Sequence, residues 1–182
     1  MTNVLSALWS AKSVAVVGAT ERISAMGRLP LEYLQKYGYK GEIFPINPKG
    51  EKIFGFNTYK NIKDVGKPID LALIMVPYEL VLQAVKDCVQ SKVKVAVVMS
   101  SGFAEASDAG AKAQELLVNV ANQSGMRLVG PNCIGSAGGE VKLTATFSPV
   151  FSGASTYLSA GNIALVSQSG ALGYGIYSLA NE

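Results

Sequence analysis

The chain has 182 residues, 49% of them hydrophobic and 16% charged, which is enough apolar material for a core and too much for intrinsic disorder. Two cysteines without C-x-x-C spacing and a net charge of only +3 exclude a disulfide framework, a cysteine zinc site and a nucleic-acid footprint of clustered lysines. There is no histidine, so Ser-His-Asp and Cys-His catalysis and imidazole metal ligation are absent from these residues.

Ser13–Gly18 reads S-V-A-V-V-G, an apolar run suited to a strand covered on both faces. A glycine-containing loop follows. The pattern then predicts a helix from near Gly27 to Tyr37, with Pro30 in its first turns and Gly38 as its stop. Glu42–Ile46 is a short second strand in which Pro45 removes a ladder donor, so pairing is expected to end early. Leu71–Val76 is a third apolar strand, closed by Pro77. Val81, Ala84, Val85, Cys88 and Val89 recur at helical spacing and predict a helix from Glu79 to Gln90. Val93–Met99 is a fourth strand. Ala113, Leu116, Leu117, Val120 and Ala121 mark another helix, started by Ser107 or Asp108 and ended by Gly125. Arg127–Val129 is a fifth strand. Alternating strands and helices imply right-handed crossovers and an α/β fold, a Rossmann-like doubly wound parallel sheet spanning residues 1–134.

Residues 135–160 are rich in Gly, Ser, Thr and Ala and are expected to be a connecting segment. Asn162–Val166 then predicts a strand, Ser167–Gly170 a tight loop and Ala171–Leu179 a helix. One strand and one helix cannot bury their own apolar faces. Residues 161–182 therefore read as the opening of a second, truncated α/β domain.

Ligands of open α/β sheets bind beyond the carboxyl ends of the strands. Those ends carry Gly18-Ala19-Thr20, Asn47-Pro48-Lys49, Val76-Pro77, Ser100-Ser101-Gly102 and Gly130-Pro131-Asn132. Gly18 and Gly27 frame a phosphate-binding turn at a helix start, unless Gly18 merely turns the chain. G-x-G-x-x-G is absent, with Thr20 where the second glycine belongs. An NAD site places an acid at the second strand end; here stand Asn47, Pro48 and Lys49. Lys49 is either a surface lysine or the partner of a ribose phosphate, as in coenzyme A or NADP. Val76 and Pro77 offer an adenine face or a strand cap. Met99 reads as core, and Cys133 as a small buried residue with no base beside it. The bias toward an anionic small ligand is visible between Lys12 and Lys67, where ten Lys and Arg face five Asp and Glu.

The ordered set S-V-A-V-V-G-A-T, I-F-P-I-N-P-K, M-V-P, S-S-G-F-A-E, G-P-N-C-I-G and V-S-Q-S-G-A-L resembles the NDP-forming acyl-CoA synthetases, ADP-forming acetate–CoA ligases among them. It is also similar to the α subunit of succinyl-CoA synthetase. The resemblance implies a CoA-binding domain followed by a flavodoxin-like ligase domain. It implies that Gly18, Ala19, Thr20, Met26 and Gly27 meet the CoA phosphates, with Asn47, Pro48 and Lys49 at the nucleotide. Val76 and Pro77 would lie on the adenine, Met99, Ser100 and Ser101 along the pantetheine, and Asn132 on the far side. Ser167, Gln168, Ser169 and Gly170 would face the active-site phosphate, and Tyr174 the acyl substrate.

The implied parent enzyme joins a small carboxylic acid to CoA through acyl-phosphate and phosphohistidine intermediates. It uses ATP and Mg²⁺ bound by an ATP-grasp module in other domains or a partner subunit. The family histidine lies beyond these residues, so no catalytic residue and no metal site are expected here, only CoA binding without turnover. A CoA- or acyl-CoA-sensing module of a protein-lysine acetyltransferase is the alternative; an NADP-dependent dehydrogenase is disfavoured by the missing glycines. No apolar run approaches the ~18 residues of a membrane span and Met1–Trp9 lacks a leader pattern, so the expected location is the cytoplasm, with no membrane or nucleic-acid partner.

Overall fold

Apolar runs without polar alternation can be satisfied only by burial on both faces, and β1 (Ser13–Val17), β3 (Leu71–Ile74) and β4 (Val95–Val98) are buried in that way. With β2 (Glu42–Ile46) and β5 (Arg127–Val129) they form a parallel sheet in the order β2-β1-β3-β4-β5. The structure, a computed structural model, describes residues 4–153 and 161–180.

Alternate strand residues feed two cores. Ala15, Ala72, Ile74, Ala96 and Val98 pack against α3 (Tyr78–Gln90) and α4 (Asp108–Ser124) through Val81, Val85, Cys88, Leu117 and Ala121. Val14, Val16, Leu71, Leu73, Val95 and Val97 face α1 (Ala7–Ser10) and α2 (Leu29–Lys36) through Ala7, Leu31 and Leu34. Helices on both faces make this the doubly wound α/β fold that the alternation predicts. The predicted helix boundaries rest on visible chemistry. Ser107 Oγ accepts from Gly110 N at 3.0 Å at the start of α4, and Gly125 ends it at φ +77°. The helix expected from Gly27 opens instead with a tight turn over Met26–Arg28 that runs into α2.

Three expectations change. Pro45 does not end pairing: all of Glu42–Ile46 is in register with Ser13–Val17. The Pro45 carbonyl faces outward to accept from Tyr59 N at 3.0 Å, so its missing N–H lies on the sheet edge and the ladder to β1 loses nothing. The stretch expected to connect two units begins with a hairpin, β6 (Gly135–Gly138) against β7 (Leu143–Thr146). Leu143 and Ala145 are fully buried in the second core, and a Cβ on Gly139 would stand 2.0 Å from the Trp9 carbonyl. Residues 154–160 of that stretch lie outside the described residues.

Asn162–Val166, expected as a strand, forms no ladder, and Ile163 and Val166 are 95% and 96% exposed. A strand exists only beside another, and none of the described strands adjoins these residues. The helix that follows does form, as α6 (Gly170–Leu179). It docks through Tyr174 and Tyr177 on Phe151 of α5 (Val150–Gly153), at ring distances of 5.6 and 5.0 Å. Phe151 in turn packs on Tyr33 and Tyr37 of and just after α2. Lys36 Nζ donates to the Phe151 and Ser152 carbonyls, both at 2.9 Å, and Tyr37 Oη to the Phe151 carbonyl at 2.7 Å.

Candidate functional site

The strand order reverses between β1 and β3, where the β1 turn meets the loops after β2 and β3 on one rim. Gly18 has φ +93°, and a Cβ there would lie 2.5 Å from the Met75 carbonyl oxygen, so only glycine fits. Gly27 has a packing task that its sequence position does not reveal. Its missing Cβ leaves room for the Gly18 carbonyl, 2.2 Å from where that carbon would be. It lets the helix start press onto the turn.

The Gly18 and Ala19 amides both donate to the Ile46 carbonyl, at 3.1 and 3.2 Å. They are engaged, and Ala19 is fully buried. Thr20 Oγ1 accepts from Arg22 N at 3.2 Å. Beyond it, Ile23 and Met26 are 87% and 59% exposed over the turn. The loop is fastened on its outer side: the Glu21 carboxylate accepts from Phe54 N, and the Arg28 guanidinium stands 5.4 Å from the Phe54 ring centre.

Asn47 ties the first two loops together. Its Nδ2 donates to the Ala19 carbonyl at 2.8 Å, its Oδ1 accepts from Lys49 N at 2.9 Å, and its carbonyl accepts from Gly50 N at 3.0 Å. The side chain is thus committed to holding a turn, from which Pro48 and Lys49 project exposed. Among the described residues Lys49 makes no ion pair.

On the other side of the reversal, Val76 is half-buried and Pro77 exposed. Ser100 Oγ donates to the Val76 carbonyl at 2.6 Å, joining the third and fourth loops. Met99 is 5% exposed and belongs to the second core, so its side chain is packing and only its backbone borders the rim. Ser101 is exposed. Asn132, at φ +53°, is also exposed and donates its amide to the Ser100 carbonyl at 3.0 Å. The sequence reading missed Tyr78, whose ring stacks 4.9 Å from Phe103 and lies over Gly102. Its signal was an aromatic directly after Pro77, at the first residue of α3.

Burial pushes the Cys133 thiol up, only partly offset by the Gly135 amide donated to its Sγ at 3.4 Å, and pushes the Cys88 thiol up to about 12. Neither is an activated nucleophile. Gly170 packs against Ile134, two residues past Asn132: a Cβ on it would meet Ile134 Cγ2 at 2.7 Å. Ser169 Oγ accepts from Leu172 N at 3.3 Å, and Ser167 Oγ donates to the Ser169 carbonyl at 2.8 Å. Ser167 and Gln168 are exposed. Tyr174 turns away into the aromatic cluster, where burial raises its hydroxyl and a bond to Thr146 partly offsets this.

Two cavities of about 520 and 530 Å³ open beside the outer edge of β2 and between Ile62 and Lys92, both away from this rim. Among the described residues no group of three His, Cys, Asp or Glu side chains is placed to hold a metal, and no helix is long and apolar enough to cross a membrane.

A family profile described as a CoA binding domain matches residues 12–139. The chain is 41% identical over 173 residues to the α subunit of ADP-forming acetate–CoA ligase I from Pyrococcus furiosus, covering 93% of this chain and 36% of that one. It is 34% identical over 169 residues to the ADP-forming 4-hydroxybutyrate–CoA ligase of Nitrosopumilus maritimus, covering 92% and 23%. The dinucleotide-forming acetyl-coenzyme A synthetase 1 of Ca. Korarchaeum cryptofilum, solved with phosphate and ADP, superimposes at a TM-score of 0.87 and 38% identity, over 99% of this chain and 37% of that one. The chain spans about a third or less of the length of these relatives.

Proposed function

This chain belongs to the family of CoA binding domains, and from that premise we propose that its rim holds coenzyme A by the phosphates of its nucleotide. One observation carries the reading. Lys49 projects from a turn fixed by Asn47, without a carboxylate partner among the described residues, at the strand end where an NAD site has an acid. A cation there rejects nothing in a ribose phosphate and favours its charge.

The first loop supports the same ligand. With the Gly18 and Ala19 amides engaged, Thr20, Met26 and the surface above Gly27 border the pyrophosphate position. Val76 and Pro77 supply an apolar face for adenine, and Ser100, Ser101, Asn132 and the Met99 backbone line the path of the pantetheine. The thiol end then points toward Ser167–Gly170, where exposed Ser167 and Gln168 and the start of α6 suit a phosphate. Tyr174 stands behind that loop as a candidate for the acyl end.

The sheet with its hairpin is the CoA-binding unit, and residues 161–182 open a ligase domain joined to it by a short connection. The parent enzyme makes an acyl-CoA from a small carboxylic acid, with ATP and Mg²⁺ handled by an ATP-grasp module on a separate domain or subunit, in the cytoplasm. Having no histidine, these residues bind CoA without turning it over. Calorimetry with CoA, 3′-dephospho-CoA and NADP tests this: CoA binds most tightly, and Lys49→Ala weakens CoA more than dephospho-CoA. Equal loss for both ligands would remove the proposed contact.

A further inference from the structure

Among the described residues, Lys49 is not the only cation near the tip of β2 that makes no ion pair. Tyr59 lies beside that tip as a one-residue extension of the sheet: its amide donates to the Pro45 carbonyl at 3.0 Å and its carbonyl accepts from Asn47 N at 2.9 Å. Lys60 follows directly. Its other neighbour, Asn61, is held by Nδ2 donating to the Asp87 carboxylate at 2.8 Å and by its amide donating to Asp64 at 2.9 Å. The Lys60 backbone is therefore clamped between a strand and the start of a capped turn. Its stem lies across Gly50, with Cε 3.3 Å and Cγ 3.6 Å from where a Gly50 Cβ would be. Gly50 is at φ +70°, so the turn both demands glycine and leaves the lysine its channel.

Two lysines thus flank one four-residue turn, Lys49 on it and Lys60 over its far end. Both are exposed, and among the described residues neither makes an ion pair. Glu51 is adjacent in sequence but pairs with neither; its backbone carbonyl accepts from Thr58 Oγ1 at 2.6 Å. Two cations on one turn attract a group of two negative charges more strongly than either does alone. We propose that Lys60 is a second specificity-determining residue, which together with Lys49 grips the doubly charged 3′-phosphate of the ligand. This rests on the CoA reading above and adds to it a residue outside the motifs that carry the family resemblance.

The test uses the full chain and the variants Lys60→Gln, Lys60→Arg and Lys112→Gln, the last an exposed lysine on α4. Calorimetry at low salt compares CoA with 3′-dephospho-CoA. Lys60→Gln weakens CoA roughly three- to fivefold, the scale of an exposed ion pair, and leaves dephospho-CoA nearly unchanged. Lys60→Arg restores CoA binding, Lys112→Gln has no effect, and the salt dependence of CoA binding becomes shallower in Lys60→Gln. A loss equal for both ligands, or no loss while Lys49→Ala retains its 3′-phosphate-dependent effect, overturns the role of Lys60 and leaves the CoA reading standing. A native chain that binds no CoA overturns both.

Discussion

Gly27→Ala separates the packing role of this residue from a ligand-approach role. The added Cβ would stand 2.2 Å from the Gly18 carbonyl oxygen, where ordinary contact begins near 3.4 Å, so the helix start and the β1 turn must part by roughly 1 Å. Both atoms that meet are held by backbone, and no side chain can rotate away. Overpacking of this kind costs about 1–3 kcal/mol. At roughly 2–4 °C per kcal/mol for a chain of this size, the melting temperature falls by about 2–12 °C without ligand. The same displacement moves the Thr20 loop, so CoA affinity falls as well. Gly175→Ala is the counterpart: nothing lies within 4 Å of its Cβ in α6, and the substitution raises stability by about 0.5–1 kcal/mol. Urea and thermal melts of the ligand-free variants read both effects. A Gly27→Ala chain that melts like the native one, and loses only CoA affinity, would refute the packing argument.

Asp87 predicts an acid limb in the stability profile. Burial alone would raise its carboxyl, but Asn61, Gln83 and Lys63 outweigh burial and hold it below the ordinary carboxylate value. Its contribution is complete above that ordinary value and is lost as pH falls from there through the depressed folded value. Asp87→Asn, followed by urea melts, costs about 1–3 kcal/mol at neutral pH and makes the acid limb shallower. Asp70, also held low despite burial by Lys94 and the Lys12 and Ser13 amides, preserves the remainder of the limb. A limb identical to that of the native chain would contradict the assignment. Phe151→Ala removes the ring on which α2 and α6 meet and costs about 3–5 kcal/mol of local packing. Hydrogen exchange of α6 amides then accelerates while β1, β3 and β4 stay protected; retained protection in α6 would show that the cluster does not dock it.

Strands β1, β3 and β4 could be read from the sequence because burial on both faces leaves an unbroken apolar run, a local signal for a global fact. S-V-A-V-V and L-A-L-I need no partner to be recognised. The hairpin could not be read this way. G-S-A-G and L-T-A-T are four residues each, and their reason for existing is the Trp9 backbone and the α2 core, contacts distant in sequence. N-I-A-L-V failed in the opposite direction: its composition is strand-like, but pairing is a property of two segments and the described residues supply one.

At the site, the second strand end was informative because an acid is conspicuously replaced by N-P-K. The division of labour within it was not visible. Asn47 spends every polar atom of its side chain on the turn, and only the geometry separates it from Lys49. Gly27 reads from its helix-start position as a ligand-approach glycine, and Met99 reads as core from its residue type although the resemblance puts it along the pantetheine. Their surroundings make one a packing contact and the other largely core.

A crystal structure of the chain with bound coenzyme A tests the central claim most directly. The account predicts the adenosine 3′-phosphate between Lys49 and Lys60, adenine against Val76 and Pro77, and the pantetheine running past Ser100 toward Ser167–Gly170. Coenzyme A seated in one of the cavities away from the rim, or with its 3′-phosphate remote from both lysines, would contradict it.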